Sequence, residues 1–213
     1  MRLILIIMLM FSLCGRTLAV TETETQPEAR ELFDKVFNMV FGPEGSSFTY
    51  SVNIVGLYKT QGDAVYKDKK ITYNEARFAA WEDGKVAYMV DRKEKKVDIH
   101  DFDDDKKDKY LSMFKYDVNN FAYSYKDKGD YYELTAKVRN SKFFGIRYVT
   151  ALIRKDNLHP VSLSIKLAFI TTTVQVTNFR SGGIDDRVFT FPKNQFKDYK
   201  FIDHRKKGLG IRD

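Results

Sequence analysis

Cysteine is nearly missing from this chain: its 213 residues include one, Cys14. Long apolar runs are as scarce. The only one covers residues 3–13 and is shorter than the roughly 20 residues that span a bilayer. Arg2 ahead of it and the small residues around Thr17-Leu18-Ala19 predict a signal peptide over residues 1–19, cleaved after Ala19. A single domain over residues 20–213 follows. The thiol leaves with the leader, so the remaining chain has neither a disulfide nor a thiol nucleophile. It must rest on a hydrophobic core, which a chain of this length is able to bury.

Concentrated charge of one sign is also lacking. Losing the leader removes Arg2 and Arg16 and no acid, which takes the formal charge from +7 to +5. Lys is dispersed among Asp and Glu without a compact basic stripe, which excludes nucleic acid as a partner. The motifs of chemistry are missing too. His100, His159 and His204 have no metal-ligand spacing around them, and there is no His-Glu pair, glycine-rich phosphate loop or nucleophile elbow. Asp101, Asp103 and Asp105 alternate as calcium loops do, but the bend glycine and distal glutamate are absent, so the stretch reads as a solvated loop. Ser162 and Ser164 alternate with Val161, Leu163 and Ile165 and read as the outer side of a strand. No catalytic residue, metal or cofactor is expected, and the chain reads as a non-enzyme.

Aromatic residues are what the chain has in quantity: 17 Phe, 13 Tyr and one Trp. Aromatics suit strands and also line pockets for apolar ligands, so this composition fits either a thick core or an apolar cavity. The stretch 75–100 shows the grammar of the rest. Two short apolar runs flank Asp83-Gly84, a hairpin signal, and a third run follows a four-residue polar break. That predicts a meander of antiparallel strands.

After an aperiodic polar lead-in over residues 20–26, Pro27 opens a helix with Thr25 or Gln26 near its cap, and Gly42-Pro43 closes it. Leu32, Val36 and Val40 form one apolar stripe with Phe33 and Phe37 beside it. That face is either a permanent part of the core or a lid over a cavity. A strand follows over 48–58, and Gly62-Asp63 turns the chain into a weaker, Lys-rich strand near 64–73, placed at an edge. A short helix is expected over 110–116. Strands follow at 121–125, 131–138, 146–153, 161–169 and 171–179, and 188–191 and 200–202 end the sheet. Nine or ten short strands behind one long helix predict an antiparallel sheet large enough to curl.

Several of these pieces in this order resemble the periplasmic lipoprotein carrier (LolA) family. They are the helix Ala29-Arg-Glu-Leu-Phe-Asp-Lys-Val36, the long first strand, the Asp83-Gly84-Lys85 turn with Tyr88 and Asp91 after it, and the ending Asp186-Arg-Val-Phe-Thr-Phe191. The resemblance runs from about Glu28 to Arg205. It implies a strongly curved antiparallel half-barrel, an incomplete barrel closed by a lid of helices, around an apolar cavity for lipoprotein acyl chains. It also implies a periplasmic monomer that takes lipoproteins from an inner-membrane exporter to an outer-membrane acceptor. Strand alternation then predicts a chamber lined by Phe48, Tyr50, Val52 and Ile54 with Tyr88, Val90, Leu163, Ile165, Val174 and Val176, under a lid carrying Leu32, Val36, Phe37 and Val40. The family's Arg-Pro pair, whose arginine latches the lid, has no counterpart in Val65-Tyr-Lys-Asp-Lys-Lys70, so the latch is unassigned. Two alternatives remain. One is a periplasmic sensor or other lipid-binding protein on the same half-barrel. The other is a lipid-anchored outer-membrane acceptor, because Phe11-Ser12-Leu13-Cys14 loosely resembles a lipoprotein cleavage box, with bulky Leu13 where such boxes carry a small residue.

Overall fold

The computed structural model describes residues 25–54, 58–102, 120–139, 146–167 and 170–205. The expected signal peptide, the helix over 110–116 and Asp103 and Asp105 lie outside these residues. One α-helix is present among them, α1 (Pro27–Phe41), with two 3-10 turns (Asp186–Phe189 and Lys193–Phe196). A lid built of several helices is therefore corrected to one helix among the described residues.

Twelve strands form one open, curled sheet. They are β1 (Ser46–Ile54), β2 (Tyr58–Lys67), β3 (Lys70–Glu75), β4 (Phe78–Glu82), β5 (Val86–Asp91), β6 (Lys96–Asp101), β7 (Phe121–Lys128), β8 (Tyr131–Val138), β9 (Ile146–Arg154), β10 (Pro160–Leu167), β11 (Ile170–Ser181) and β12 (Lys200–Asp203). Their spatial order is β12-β6-β5-β4-β3-β2-β1-β11-β10-β9-β8-β7. All neighbours are antiparallel except the last strand, β12, which runs parallel to β6. The Asp83-Gly84 hairpin forms as expected between β4 and β5. Gly84 takes φ +88, which a side chain would strain, and the Asp83 carboxylate accepts the Lys85 and Val86 amides at 2.8 Å. Gly62-Asp63, expected as a turn, lies inside β2 instead, and the chain reverses at Asp68, whose φ is 53. The Lys-rich stretch is thus two interior strands, and the sheet's edges are β7 and β12.

The β7 edge is not left open. The Gln26 amide donates to the Tyr123 carbonyl at 2.9 Å, and the Tyr125 amide donates to Gln26 Oε1 at 3.1 Å. Arg139 reaches Thr25 Oγ1 at 2.8 Å from the next strand. The residues expected to cap the helix therefore block an edge that could otherwise pair with another chain. From that anchor α1 crosses the sheet. Ala29, Val36 and Val40 are buried with Phe121, Tyr123, Leu134, Val138, Ile146, Ile153 and Ile165, each buried Val, Leu, Ile or Phe side chain worth about 1.5–3 kcal/mol. At the helix's far end the buried Ser46 hydroxyl donates to the Val40 carbonyl at 2.8 Å.

The opposite face of β4–β6 has its own cover. Residues 188–191 were expected as a strand, but they belong to a 3-10 turn and an extended strap lying across this face. Phe191 stacks on Tyr88 at 4.3 Å, and Trp81 meets Phe191 and Phe196 edge-on at 5.6 and 5.8 Å. Ala79, Val90 and Val97 are buried beneath, with Phe196. Lys67 and Lys70 hold Asp186 at 2.9 and 2.7 Å, and Lys67 also donates to the Ile184 carbonyl. Hydrogen bonds from Lys70 and Lys67 keep the Asp186 carboxyl below the usual carboxylate range. The region without an Arg-Pro latch thus fastens the C-terminal strap to the outside of the sheet.

Trp81 is the only tryptophan, so its emission reports on strap docking. Phe196→Ala is expected to cost about 3–5 kcal/mol in urea unfolding and to red-shift native emission. A native spectrum identical to wild type would contradict this packing.

Candidate functional site

Paired residues in an antiparallel ladder share a face, so the registers sort the expected chamber residues directly. Tyr50 pairs with Val176 and Val52 with Val174. Val174 pairs with Leu163, which pairs with Ala151, and Ile165 pairs with Val149. Phe48, Tyr50, Val52, Leu163, Ile165, Val174 and Val176 therefore share the side that α1 covers. Ile54 takes the same parity, although its side chain is outside what is described. Within this set, Ile165 is buried in the cluster under α1, and Leu32, Phe33, Phe48 and Leu163 pack against it.

Tyr88 and Val90 are a correction. They pair with Trp81 and Ala79, which continue through Thr72 and Asn74 to Val65 and Asp63, and Asp63 pairs with Thr49. Thr49 has the opposite parity to Phe48 and Tyr50, so Tyr88 and Val90 lie on the outer face under the strap. The expectation rested on the sheet having one covered face. β5 is covered on both, so its apolar run does not alternate. Over β7–β10 the described helix and sheet side chains form one packed cluster.

Beside that cluster, Tyr50, Val52, Val174 and Val176 form a half-buried strip. A chain of rings leads to it: Phe33 to Phe37 at 5.5 Å, Phe37 to Phe41 at 4.9 Å, Phe41 to Tyr66 at 5.0 Å and Tyr66 to Phe48 at 5.9 Å. Phe37 and Phe41 remain 44% and 37% exposed, so α1 offers apolar surface beyond what the sheet buries.

Polar groups punctuate this face. The Tyr50 hydroxyl donates to Glu75 Oε1 at 2.6 Å. Burial, and then the bond to Glu75, push the Tyr50 phenol up. Burial and the nearby Glu82 carboxylate push Tyr66 up to about 12. Near the β12 edge, His204 Nε2 lies 2.8 Å from Asp98 and its ring stacks on buried His100 at 4.6 Å. Among the described residues no cluster of three or more His, Cys, Asp or Glu is placed to hold a metal. A polar recess of about 430 Å³ lies by Thr49, Gly62, Asp63, Asn74, Glu75 and Arg92, and one of about 480 Å³ lies under the strap by Tyr88, Ile99 and Phe201. Sequence reasoning missed Gly62 and Glu75. A glycine inside a strand run was the available signal, since it marks a close approach of other groups.

No protein-family model matches the chain, and no curated protein matches it. The fold is similar to that of an uncharacterized conserved protein from Thermus thermophilus, at TM-score 0.58 and 10% identity, covering 83% of this chain and 99% of that one. A LolA superfamily protein from Nitrosomonas europaea is similar at TM-score 0.40 and 7% identity, over 78% of this chain and 98% of that one. A putative outer membrane lipoprotein-sorting protein domain from Vibrio parahaemolyticus is similar at TM-score 0.42 and 9% identity, over 78% and 97%. The structural neighbours thus include LolA superfamily proteins, and the likeness is one of fold.

Tyr66 gives this site a spectroscopic handle. Its raised pKa means that the folded state favours the neutral phenol. The stability this contributes is full below about pH 10, where an ordinary tyrosine ionises, and is lost as pH rises through about 12. In a rapid pH jump read by phenolate absorbance before unfolding, Tyr66→Phe should remove a step near pH 12. Loss of a step near pH 10 instead would contradict the half-buried placement beside Glu82.

Proposed function

We propose that this chain is a carrier of acyl chains, which lie along the strip Tyr50, Val52, Val174 and Val176 against the ring wall of Phe37, Phe41 and Tyr66. One observation carries the reading: α1 has two apolar sides, one buried on the sheet and one still exposed beside a half-buried apolar strip. A helix with core duty alone needs the first side only. Exposing an acyl chain to water costs about 0.8 kcal/mol per CH₂, so shielding it is a large thermodynamic task that requires no catalytic residue. Release is achieved by moving α1, whose Val36 and Val40 contacts must give way for the strip to widen under it.

The sequence resemblance to lipoprotein carriers supports lipoproteins as the cargo, received from an inner-membrane exporter and passed to an outer-membrane acceptor. The leader over residues 1–19 supports export to the periplasm, with Cys14 removed and the carrier working as a soluble monomer.

Phe37 separates this reading from that of an ordinary core helix. Because its ring is substantially exposed, Phe37→Ala should change folding stability by no more than about 1 kcal/mol. Retention of a neutral fluorescent acyl probe should fall severalfold in the same preparation. Probe binding that is equal in wild type and variant, or absent in both, would leave the fold standing and remove the proposed function.

A further inference from the structure

The strap across β4–β6 is seated by two rings and arches between them. Phe189, at the end of the first 3-10 turn, and Phe196, at the end of the second, are buried, whereas Phe191 in the extended stretch between them is half-buried. Beside this arch lies the recess of about 480 Å³, a volume within the range of small-molecule sites. Its apolar lining includes the rings of Tyr88, Phe191 and Phe201 with Ile99, all half-buried, so sheet and strap both contribute to it. Phe191 lies flat on Tyr88 at 4.3 Å and edge-on to Phe201 at 6.2 Å.

Charged side chains also line the recess, and most of them are already answered. Lys70 holds Asp186 at 2.7 Å, with Lys67 on the other carboxylate oxygen at 2.9 Å. Arg205 is held by Asp203 at 2.6 Å, with Asp101 close enough to act on it electrostatically. The remaining two, Asp83 and Lys193, are of opposite sign and come from different elements. Asp83 stands at the β4–β5 hairpin, where its Oδ1 accepts the Lys85 and Val86 amides at 2.8 Å. Among the described residues it makes no ion pair; Lys69 and Lys85, the basic residues nearest in sequence, are exposed and do not line the recess. Lys193 opens the second 3-10 turn, and its exposed ammonium also makes no ion pair among the described residues. A carboxylate and an ammonium thus border one aromatic recess without pairing with each other.

We infer that the strap recess is a binding site for a free aromatic amino acid, whose ring stands against Tyr88, Phe191 and Phe201, its carboxylate against Lys193 and its ammonium against Asp83. Rings on two sides offer an aromatic ligand both stacked and edge-on partners. An ammonium and a carboxylate on one carbon answer the two unpaired groups together, whereas a singly charged ligand answers only one. The flexible four-carbon stem of Lys193 lets its ammonium come to the ligand. The site lies on the face away from α1 and does not depend on the acyl-carrier reading. A ligand held there ties the arch of the strap to the β4–β5 hairpin.

The test titrates the mature protein with L-phenylalanine, 3-phenylpropionate, phenethylammonium and L-alanine and reads backbone amide chemical shifts. L-phenylalanine should shift the hairpin around Asp83 and residues 186–205, with a Kd at least about fivefold below either singly charged aromatic. L-alanine keeps both charges and lacks the ring, and should cause no shifts at up to about 10 mM. Lys193→Gln should weaken L-phenylalanine to the level of phenethylammonium and leave phenethylammonium within about twofold. Asp83→Asn retains an oxygen for the turn amides and should weaken L-phenylalanine to the level of 3-phenylpropionate. Native Trp81 emission checks that the strap is docked in both variants. The inference is overturned if L-phenylalanine causes no shifts at about 10 mM, if the three aromatic ligands bind equally, or if neither variant changes their ranking. Binding of a neutral acyl probe is unaffected by any of these outcomes and continues to test the carrier reading separately.

Discussion

Strand alternation in a sheet this wide forces a choice about what covers each face, and the rest of the molecule follows from how that is met. Twelve strands in one ladder present two faces, and a 15-residue helix reaches only part of one. α1 covers the end built from β7 to β10 and the start of β1. The other face is covered at β4 to β6 by chain that comes after the last long strand, rich in Phe and Tyr and pinned by Lys67 and Lys70. The two covers are different in kind. The strap makes aromatic contacts with Trp81, edge-on, and Tyr88, stacked, and ends in β12, which is hydrogen-bonded into the sheet. The helix is tied at its ends, through Gln26 and Ser46, and otherwise held by side-chain burial.

That difference bears on function. Between those ties α1 is held by apolar contact, which another apolar body can replace at small net cost, whereas an element woven into a ladder must break backbone hydrogen bonds to leave. On the acyl-carrier proposal the strap is the fixed cover and the middle of α1 the part that gives way. On that proposal the exchange begins at the strip beside α1, because Phe37 and Phe41 already present ring surface there.

The helix, the Asp83-Gly84 hairpin and the paired strands of the second half were legible because each is written in local pattern. The parity of Phe48, Tyr50, Val52, Leu163, Ile165, Val174 and Val176 was legible for the same reason. Tyr88 and Val90 were not. Val86 to Val90 is apolar on both parities, and nothing within β5 tells which neighbour covers which side. The answer lies about a hundred residues away, at Phe191 and Phe196. Residues 188–191 read as a strand because Val and Phe alternate there, yet those rings pack onto a face already made and no ladder forms. The displaced turn at Gly62-Asp63 failed for a third reason. Glycine was read as a turn former when its task is to leave room for Glu75 to reach Tyr50, a contact between β1 and β3 that no local window contains.

The central claim is that an acyl ligand engages the α1 side of the sheet and leaves the strapped side untouched. Amide hydrogen exchange with and without a saturating neutral acyl ligand tests it most directly. The account predicts slowed exchange in α1, β1 and β11, with β5, β6 and residues 186–203 unchanged. Slowed exchange confined to β5, β6 and the strap, with α1 unaffected, would contradict it.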